Sequence, residues 1–540
     1  MIHHLYFKLS VFLVLLIVSG CLSKFYMLPE GNKLSSQRAI VYLFLLLTVT
    51  FLVRLPYVVD VELNIDTSTW LSAVIAIKHY PDQLWTFLNY TDSRPLTVLP
   101  LLIVSFLGIH TGYYVSECVG IIFWLGSVFF LFKTLNLFLT KQASLLICWG
   151  LCLLIGTMYL SDYTSYNSEQ VGILMLSAAV YGYTSYLKKI RSSHLLILGT
   201  GFILGNLPFV KFQNVPMGLL IAGFFLFEII NRKEWKKAFL LITGGILPTL
   251  LINIYYISQG KLEMFWNNYF WNYFYYSYTT QFSSVPIGER FNPIRVAKFI
   301  YNSQNSRVYL LTVTALIMAC LATGYKSVFS AKNPVRTVLL FGFLFILVSL
   351  YSLFQSGNSF QHYRLYLFIP LTLFFGLLTG ILSAERQKLM LMIFLSLSTL
   401  AAGINMLARP ESVDMSHADL DRKIVQRIKA NSSEKDPIVI WGWRDQLYVH
   451  ANRPMGYRDA HTFHFSLKSE LIPTWTADLM ADLQTNKPLL FIDTTQPEDY
   501  SIFSKILVAH EKIPAVQQYV SRFYHLIDTI DGTRIYKRNN

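Results

Sequence analysis

Residues 39–66 read AIVYLFLLLTVTFLVRLPYVVDVELNID, and this stretch decides the fold. It has no charged residue before Arg54, reaches Pro56, and then carries Asp60, Glu62 and Asp66. At about 1.5 Å per residue the apolar part, 39–57, rises roughly 28 Å, which matches a bilayer core. An uncharged run that stops at an arginine and a proline and opens into acid is a membrane span meeting water.

Further such runs lie on both sides of it. Windows of about 19 residues place apolar segments at 7–23, 114–134, 143–160, 170–187, 194–209, 214–230, 238–257, 307–324, 336–354, 364–383 and 388–407. With 39–57 that predicts an α-helical polytopic membrane protein of about 11–12 transmembrane helices. Residues 96–109, LTVLPLLIVSFLGI, are apolar but short, and read as a re-entrant or juxtamembrane helix. The whole chain agrees: 540 residues, 54% hydrophobic, 14% charged, mean hydropathy +0.43. An ordinary soluble domain is about 25% charged, so a purely soluble protein is excluded.

The net charge is +14, and from residue 408 onward 17 basic residues face 17 acidic ones. The surplus therefore belongs to the apolar part, which points to membrane topology before nucleic acid. KKIR at 188–191, NRKEWKK at 231–237, Lys326 to Arg336, and SAERQK at 383–388 fall on alternating connectors, and basic connectors stay cytoplasmic. The opposite set, 58–113, 161–169, 258–306, 355–363 and everything after 407, then faces outward. If 96–109 spanned, residues 58–95 would turn inward. Lys24, Lys33 and Arg38 oppose this by holding 24–38 inside, while Asp60, Glu62, Asp66, Asp82 and Asp92 make the next loop acidic.

This divides the chain into 1–38, an N-terminal hydrophobic segment and linker; 39–407, the transmembrane domain; and 408–540, an extracytoplasmic α/β domain. In the last, SHADLDRKIVQRIKANSS reads as an amphipathic helix, and PIVIWGW, KPLLFIDTT and TRIYKR as strands. It has neither a Gly-rich phosphate loop nor a nucleophile elbow. The five cysteines, Cys21, Cys118, Cys148, Cys152 and Cys320, sit in or beside apolar segments and offer no disulfide framework or zinc spacing. VSGC ending at Cys21 is superficially similar to a lipoprotein cleavage site, but small residues before a cysteine are common in apolar helices. NYT at 89–91 and NSS at 431–433 matter as glycosylation sites only in a eukaryotic secretory pathway.

Candidate chemistry lies at the outer boundary, where ionisable residues are costly to hold. Asp66 opens a helix over 67–80, either as its N-cap or as a carboxylate poised to take a proton. Glu62 and Asp60 are weaker candidates, read equally as solvated loop charges. Arg94, with Pro95, precedes the short apolar helix and has the alternative of a snorkelling anchor. Asp162, Asn167 and Glu169 in SDYTSYNSEQ stand at the lip of two spans, where capping and solvation also account for them. Lys211, between Pro208 and Pro216, marks a broken helix and suits a phosphate or an interfacial anchor. His362, Tyr363 and Arg364 precede another span, and a guanidinium there can hold a phosphate bidentately. FWNNYFWNYFYYSY at 265–278 is an aromatic belt or a platform for isoprenoid chains or sugar rings.

Taken in order, Arg54 with Pro56, Asp66, SRPL at 93–96, YNSE at 166–169, LPFVK ending at Lys211, HYRLYLFIP at 362–370, and IVIWGW followed by LYVHANRP resemble a family. The chain is similar to the GT-C polytopic glycosyltransferases of the protein mannosyltransferase and aminoarabinose transferase type, as in bacterial glycosyltransferase family 39. It departs in having NID at 64–66 where the family has an adjacent acidic pair, and RPL where it has PPL.

The resemblance implies an inverting transfer of a sugar from a polyprenyl-phosphate donor to an envelope lipid, glycan or protein, on the outer face of a bacterial inner membrane. It implies Asp66 as general base. It places Lys211, Arg364, His362 and Tyr363 at the donor phosphate, and Glu62, Arg94, Asn167 and Glu169 at the substrates. It leaves a divalent metal open as a cofactor and expects no nucleic-acid partner. A transporter or flippase of a lipid-linked saccharide is the alternative, and an envelope scaffold a third reading.

Overall fold

The computed structural model describes residues 2–27, 34–81, 94–190, 193–278, 285–330, 335–410, 418–467, 469–495 and 507–539. Lys33, Asp82, Asp92, Ser93, Arg191 and the NYT at 89–91 lie outside the described residues.

Each of the twelve expected apolar segments meets a helix. Among the described residues nine helices are long and apolar enough to cross a membrane: Leu5–Met27, Ser36–Tyr57, Tyr113–Leu135, Phe212–Asn231, Trp235–Ser258, Arg307–Val328, Val335–Phe354, Gln361–Thr379 and Ala384–Ala408. Lys141–Thr157, Ser168–Leu187 and His194–Val210 complete the set. The chain is a multi-pass membrane protein. The 96–109 segment folds as a helix, Pro95–Phe106, whose 12 residues rise only about 18 Å, too short to span.

Local chemistry starts these helices where the sequence supplies a cap. Ser35, Thr140 and Ser193 each accept a hydrogen bond from the backbone N–H three residues on. Asn167 and Gln170 form a reciprocal capping box. At Arg54 the helix tightens into a 3-10 turn, Leu55–Tyr57, around Pro56.

Two compact units emerge. The first holds Met1–Val58, Glu117–Ile254 and Val285–Glu411. Its centre is read from burial. Every side chain from Leu365 to Thr379 and from Ala143 to Thr157 is buried, as expected of helices apolar on all sides and enclosed by others. Phe239, Leu219 and Ile254, on peripheral helices, are by contrast exposed and suit a lipid environment. His194–Val210 and Trp235–Ser258 approach through glycine: a Cβ on Gly205 would stand 2.1 Å from the Gly245 carbonyl oxygen, so only glycine fits there.

The second unit gathers Val59–Ser116, Tyr255–Ser284 and Ser412–Asn540, so the first loop and the tail pack in one body although the transmembrane helices separate them in sequence. Its sheet has β1 (Ile438–Trp441), β2 (Leu490–Asp493), β3 (Tyr524–Ile530) and β4 (Thr533–Arg538) in the order β1-β2-β4-β3. β1 and β2 are parallel, and the other pairs antiparallel. Three strands and the helix Ala418–Asn431 fall where the sequence placed them. β3 was not anticipated, although Asp531-Gly532, both at positive φ, is a strong hairpin signal.

Candidate functional site

In the first unit, three chain segments converge on one buried cation. Helix His194–Val210 ends at Lys211, whose ammonium makes an ion pair with Oε1 of Glu169. Glu169 stands in the first turn of Ser168–Leu187, where the helix dipole favours a carboxylate, and Lys211 follows a C-terminus, where it favours a cation. Nε2 of His362 lies 3.8 Å from the same carboxylate oxygen. The Lys211 ammonium also sits 4.7 Å from the centre of the Tyr363 ring. Lys211 and Glu169 are 6% and 1% exposed, so the pair is desolvated and each charge depends on the other.

Two other expected site residues are engaged elsewhere. Arg364 is buried and donates from Nε and Nη2 to the Phe299 carbonyl, at 2.9 and 2.7 Å, with its guanidinium 3.8 Å from the Phe299 ring centre. Asn167 caps its helix, Oδ1 accepting from Gln170 N and Nδ2 donating to the Ser165 carbonyl at 3.2 Å.

In the second unit, helix Ile65–His79 begins two residues earlier than the sequence suggested. Asn64, in extended conformation, is the N-cap and accepts from Asp66 N at 2.9 Å. Asparagine caps as well as aspartate, so the NID variation moves the cap to Asn64 and sets Asp66 in the first turn. The N-cap reading of Asp66 is thereby corrected.

Beside it, Ser68 Oγ donates to Glu62 and lies 2.8 Å from the Tyr113 hydroxyl. The next residue, Thr69, donates from Oγ1 to Asp445 Oδ2 at 2.6 Å, and one turn on from Ser68, Ser72 Oγ donates to the Asp445 carbonyl at 3.2 Å. Asp421 pairs with Arg444 and accepts from Gln446 Nε2 at 3.4 Å. Burial pushes the Glu62 carboxyl up to about 8; Asp445 and Asp421 add to the rise, while the Ser68 hydrogen bond and Arg444 oppose it. Glu62 therefore holds its proton to a higher pH than an ordinary carboxyl.

Tyr113, Asp421, Arg444 and Asp445 were not singled out from the sequence. A signal was there: Arg444 and Asp445 lie between the family-like IVIWGW and LYVHANRP. Arg94 precedes Pro95–Phe106 without a side-chain cap, and its charge reaches the Tyr269 hydroxyl. Tyr269 belongs to the aromatic run and stacks on Phe265 at 5.4 Å, which stacks on Tyr256 at 4.2 Å.

Asp493, His510 and Glu511 in the tail offer the donor types of a metal site. Their oxygens are already served: Arg534 Nη2 donates to Asp493 at 2.6 Å and to Glu511 at 3.0 Å, and Thr495 Oγ1 to Asp493 at 2.6 Å. Burial raises the Asp493 carboxyl, but hydrogen bonds from His510 and Thr495 outweigh it and hold it below the ordinary range. This donor set braces β2 against β4 and is ill suited to an ion, which would have to displace a guanidinium.

No sequence family and no curated protein sequence matches the chain. Solved structures do. ArnT from Cupriavidus metallidurans bound to undecaprenyl phosphate matches over 93% of this chain and 98% of its own, with TM-score 0.55 and 10% identity. The same protein in its apo state gives TM-score 0.57, 10% identity and coverage of 92% and 98%. The Archaeoglobus fulgidus oligosaccharyltransferase with Zn and sulfate gives TM-score 0.47 and 11% identity over 91% of this chain and 73% of that one. The chain shares the fold of ArnT.

Proposed function

We propose that the chain is a membrane glycosyltransferase that moves a sugar from a polyprenyl-phosphate donor to an envelope acceptor, with inversion, on the outer face of the inner membrane. The observation that carries it is the convergence of Glu169, Lys211, His362 and Tyr363, from separate parts of the sequence, around one desolvated ammonium. Such a cation is the group a leaving phosphate needs. The GT-C fold and the undecaprenyl phosphate bound by ArnT support the donor class. The alternating basic connectors support an outward-facing tail.

Asp66, in the first turn of its helix, accepts the proton of the acceptor hydroxyl. The hydroxyl oxygen bonds to the anomeric carbon as the bond from that carbon to the phosphate oxygen breaks, and polyprenyl phosphate departs as an anion stabilised by Lys211. His362 and Tyr363 hold that cation in place, and Glu169 keeps it charged before the donor arrives. Arg364 steadies the turn that carries His362 and Tyr363 through the Phe299 carbonyl. Glu62, whose raised pKa suits it to exchange a proton with a hydroxyl, and Arg94 contact the acceptor. Asn167 acts by capping the helix that presents Glu169.

The test is mass spectrometry of envelope lipids and glycans from cells lacking the protein, complemented with wild type or Asp66→Asn. A sugar mass restored by wild type alone supports the reading and names sugar and acceptor. Equal restoration by both removes Asp66 as base and favours transport or scaffolding.

A further inference from the structure

Away from Lys211, the first unit buries a second set of charges that the transfer chemistry leaves unused. Lys8, Arg54 and Arg409 are 6%, 3% and 5% exposed, and among the described residues one carboxyl, Glu117 at 2%, accompanies them. Arg54 Nη1 and Arg409 Nη2 donate to one and the same oxygen, the Met158 carbonyl, the latter at 2.6 Å. Lys8 Nζ donates to the Arg409 carbonyl at 2.6 Å, and the Arg409 guanidinium lies 3.6 Å from the Tyr57 ring centre. Two guanidinium groups on one oxygen repel unless an anion joins them.

Part of this has an ordinary cause. Arg54 and Arg409 stand at the C-terminal ends of helices, and Met158 follows another, so cations meeting carbonyl oxygens are favourable there. That does not account for the rest. Arg409 Nε and Nη1 are buried with no hydrogen-bond partner among the described residues, and neither has Glu117 Oε2. No ion pair within 4 Å joins Glu117 to any of the three cations among the described residues. Among the described residues, three cations against one carboxyl leave a buried positive surplus and unsatisfied N–H donors, and both are costly without a counter-ion.

We propose that Lys8, Arg54 and Arg409 form an anion site for a phosphate group, separate from the Lys211 site and independent of the transferase reading. A planar guanidinium with two open donors matches phosphate oxygens. The site lies where spans end, since Arg54 closes Ser36–Arg54 and Arg409 follows Ala408. Lipid phosphates occupy that level of a bilayer, and inorganic phosphate offers the same oxygens. Glu117 sets the affinity by partly neutralising the cations.

The test uses the full chain in detergent, with dioleoylphosphatidylglycerol followed by native mass spectrometry and inorganic phosphate by phosphorus NMR. Arg409→Gln is expected to weaken binding about 10-fold or more, the scale of one charged hydrogen bond. Glu117→Gln, which keeps every cation, is expected to tighten it severalfold, so the test survives if the arginine variant fails to fold. The double variant Lys211→Met with Glu169→Gln, which leaves no unpaired charge at the other site, is expected to leave this binding unchanged. Lipid retention with that pattern assigns a lipid headgroup; phosphate binding with that pattern assigns the free ion. Wild-type binding by Glu117→Gln together with either wild-type binding or misfolding of Arg409→Gln, or loss through the folded double variant Lys211→Met with Glu169→Gln, overturns the site.

Discussion

The two units treat a desolvated carboxyl in opposite ways. In the first, Glu169 is met by the Lys211 ammonium and His362, so its charge is held by partners. In the second, Glu62 shares its surroundings with Asp445 and Asp421 as well as Arg444, and its carboxyl is pushed up so that it holds its proton longer. A buried acid beside a cation is a fixed charge, whereas a buried acid among acids is a proton store. The first suits phosphate recognition and the second suits contact with hydroxyls.

Several substitutions bear on that difference. The largest effect is expected from Asp66→Asn, which removes the only group assigned to accept a proton: transfer falls on the order of 10²–10⁴-fold in a donor-turnover assay, with membrane insertion unchanged. Lys211→Met turns the first arrangement into the second by leaving Glu169 without its cation. Unfolding stability then falls by about 3–5 kcal/mol, and adding Glu169→Gln restores folding but not transfer.

Thr69→Val strips Asp445 of a hydrogen-bond donor and costs about 1.5–3 kcal/mol in denaturant unfolding. At Glu62 the effect depends on pH. Its folded carboxyl titrates near 8 against an ordinary 4.5, so the folded state holds the extra proton between those values. The stability it contributes is present at low pH and lost as pH rises toward 8. Glu62→Gln cannot lose that proton, so its Tm is expected to exceed wild type by roughly 2–4 °C at pH 8 and to match it near pH 4.5.

Much of the fold was legible because membrane helices obey a one-dimensional rule. An apolar run of bilayer length is visible without knowing its neighbours, so all twelve segments met helices. The short helix Pro95–Phe106 was legible for the same reason. The hairpin β3–β4 was missed although its Asp531-Gly532 turn is a local signal. The Asp66 cap was misplaced because capping depends on the φ and ψ of Asn64, which residue type alone leaves open.

The site was legible in its parts and not in its pairing. Glu169, Lys211, His362 and Tyr363 each stood out as polar groups at span ends, but nothing in the sequence says that Lys211 meets Glu169 while Arg364 turns to Phe299. Asp445 and Arg444 were passed over because the tail carries many charges and only burial separates them from solvated ones.

The sequence by itself determined that the chain crosses a membrane many times, that its tail is an α/β body, and which polar residues stand at span ends, because hydrophobic burial and charge placement act along the chain. Tertiary structure alone decided which charges are paired, which acid keeps its proton, and that the first loop and the tail share one unit. Those outcomes depend on distance and desolvation between residues hundreds of positions apart, and no local pattern records either.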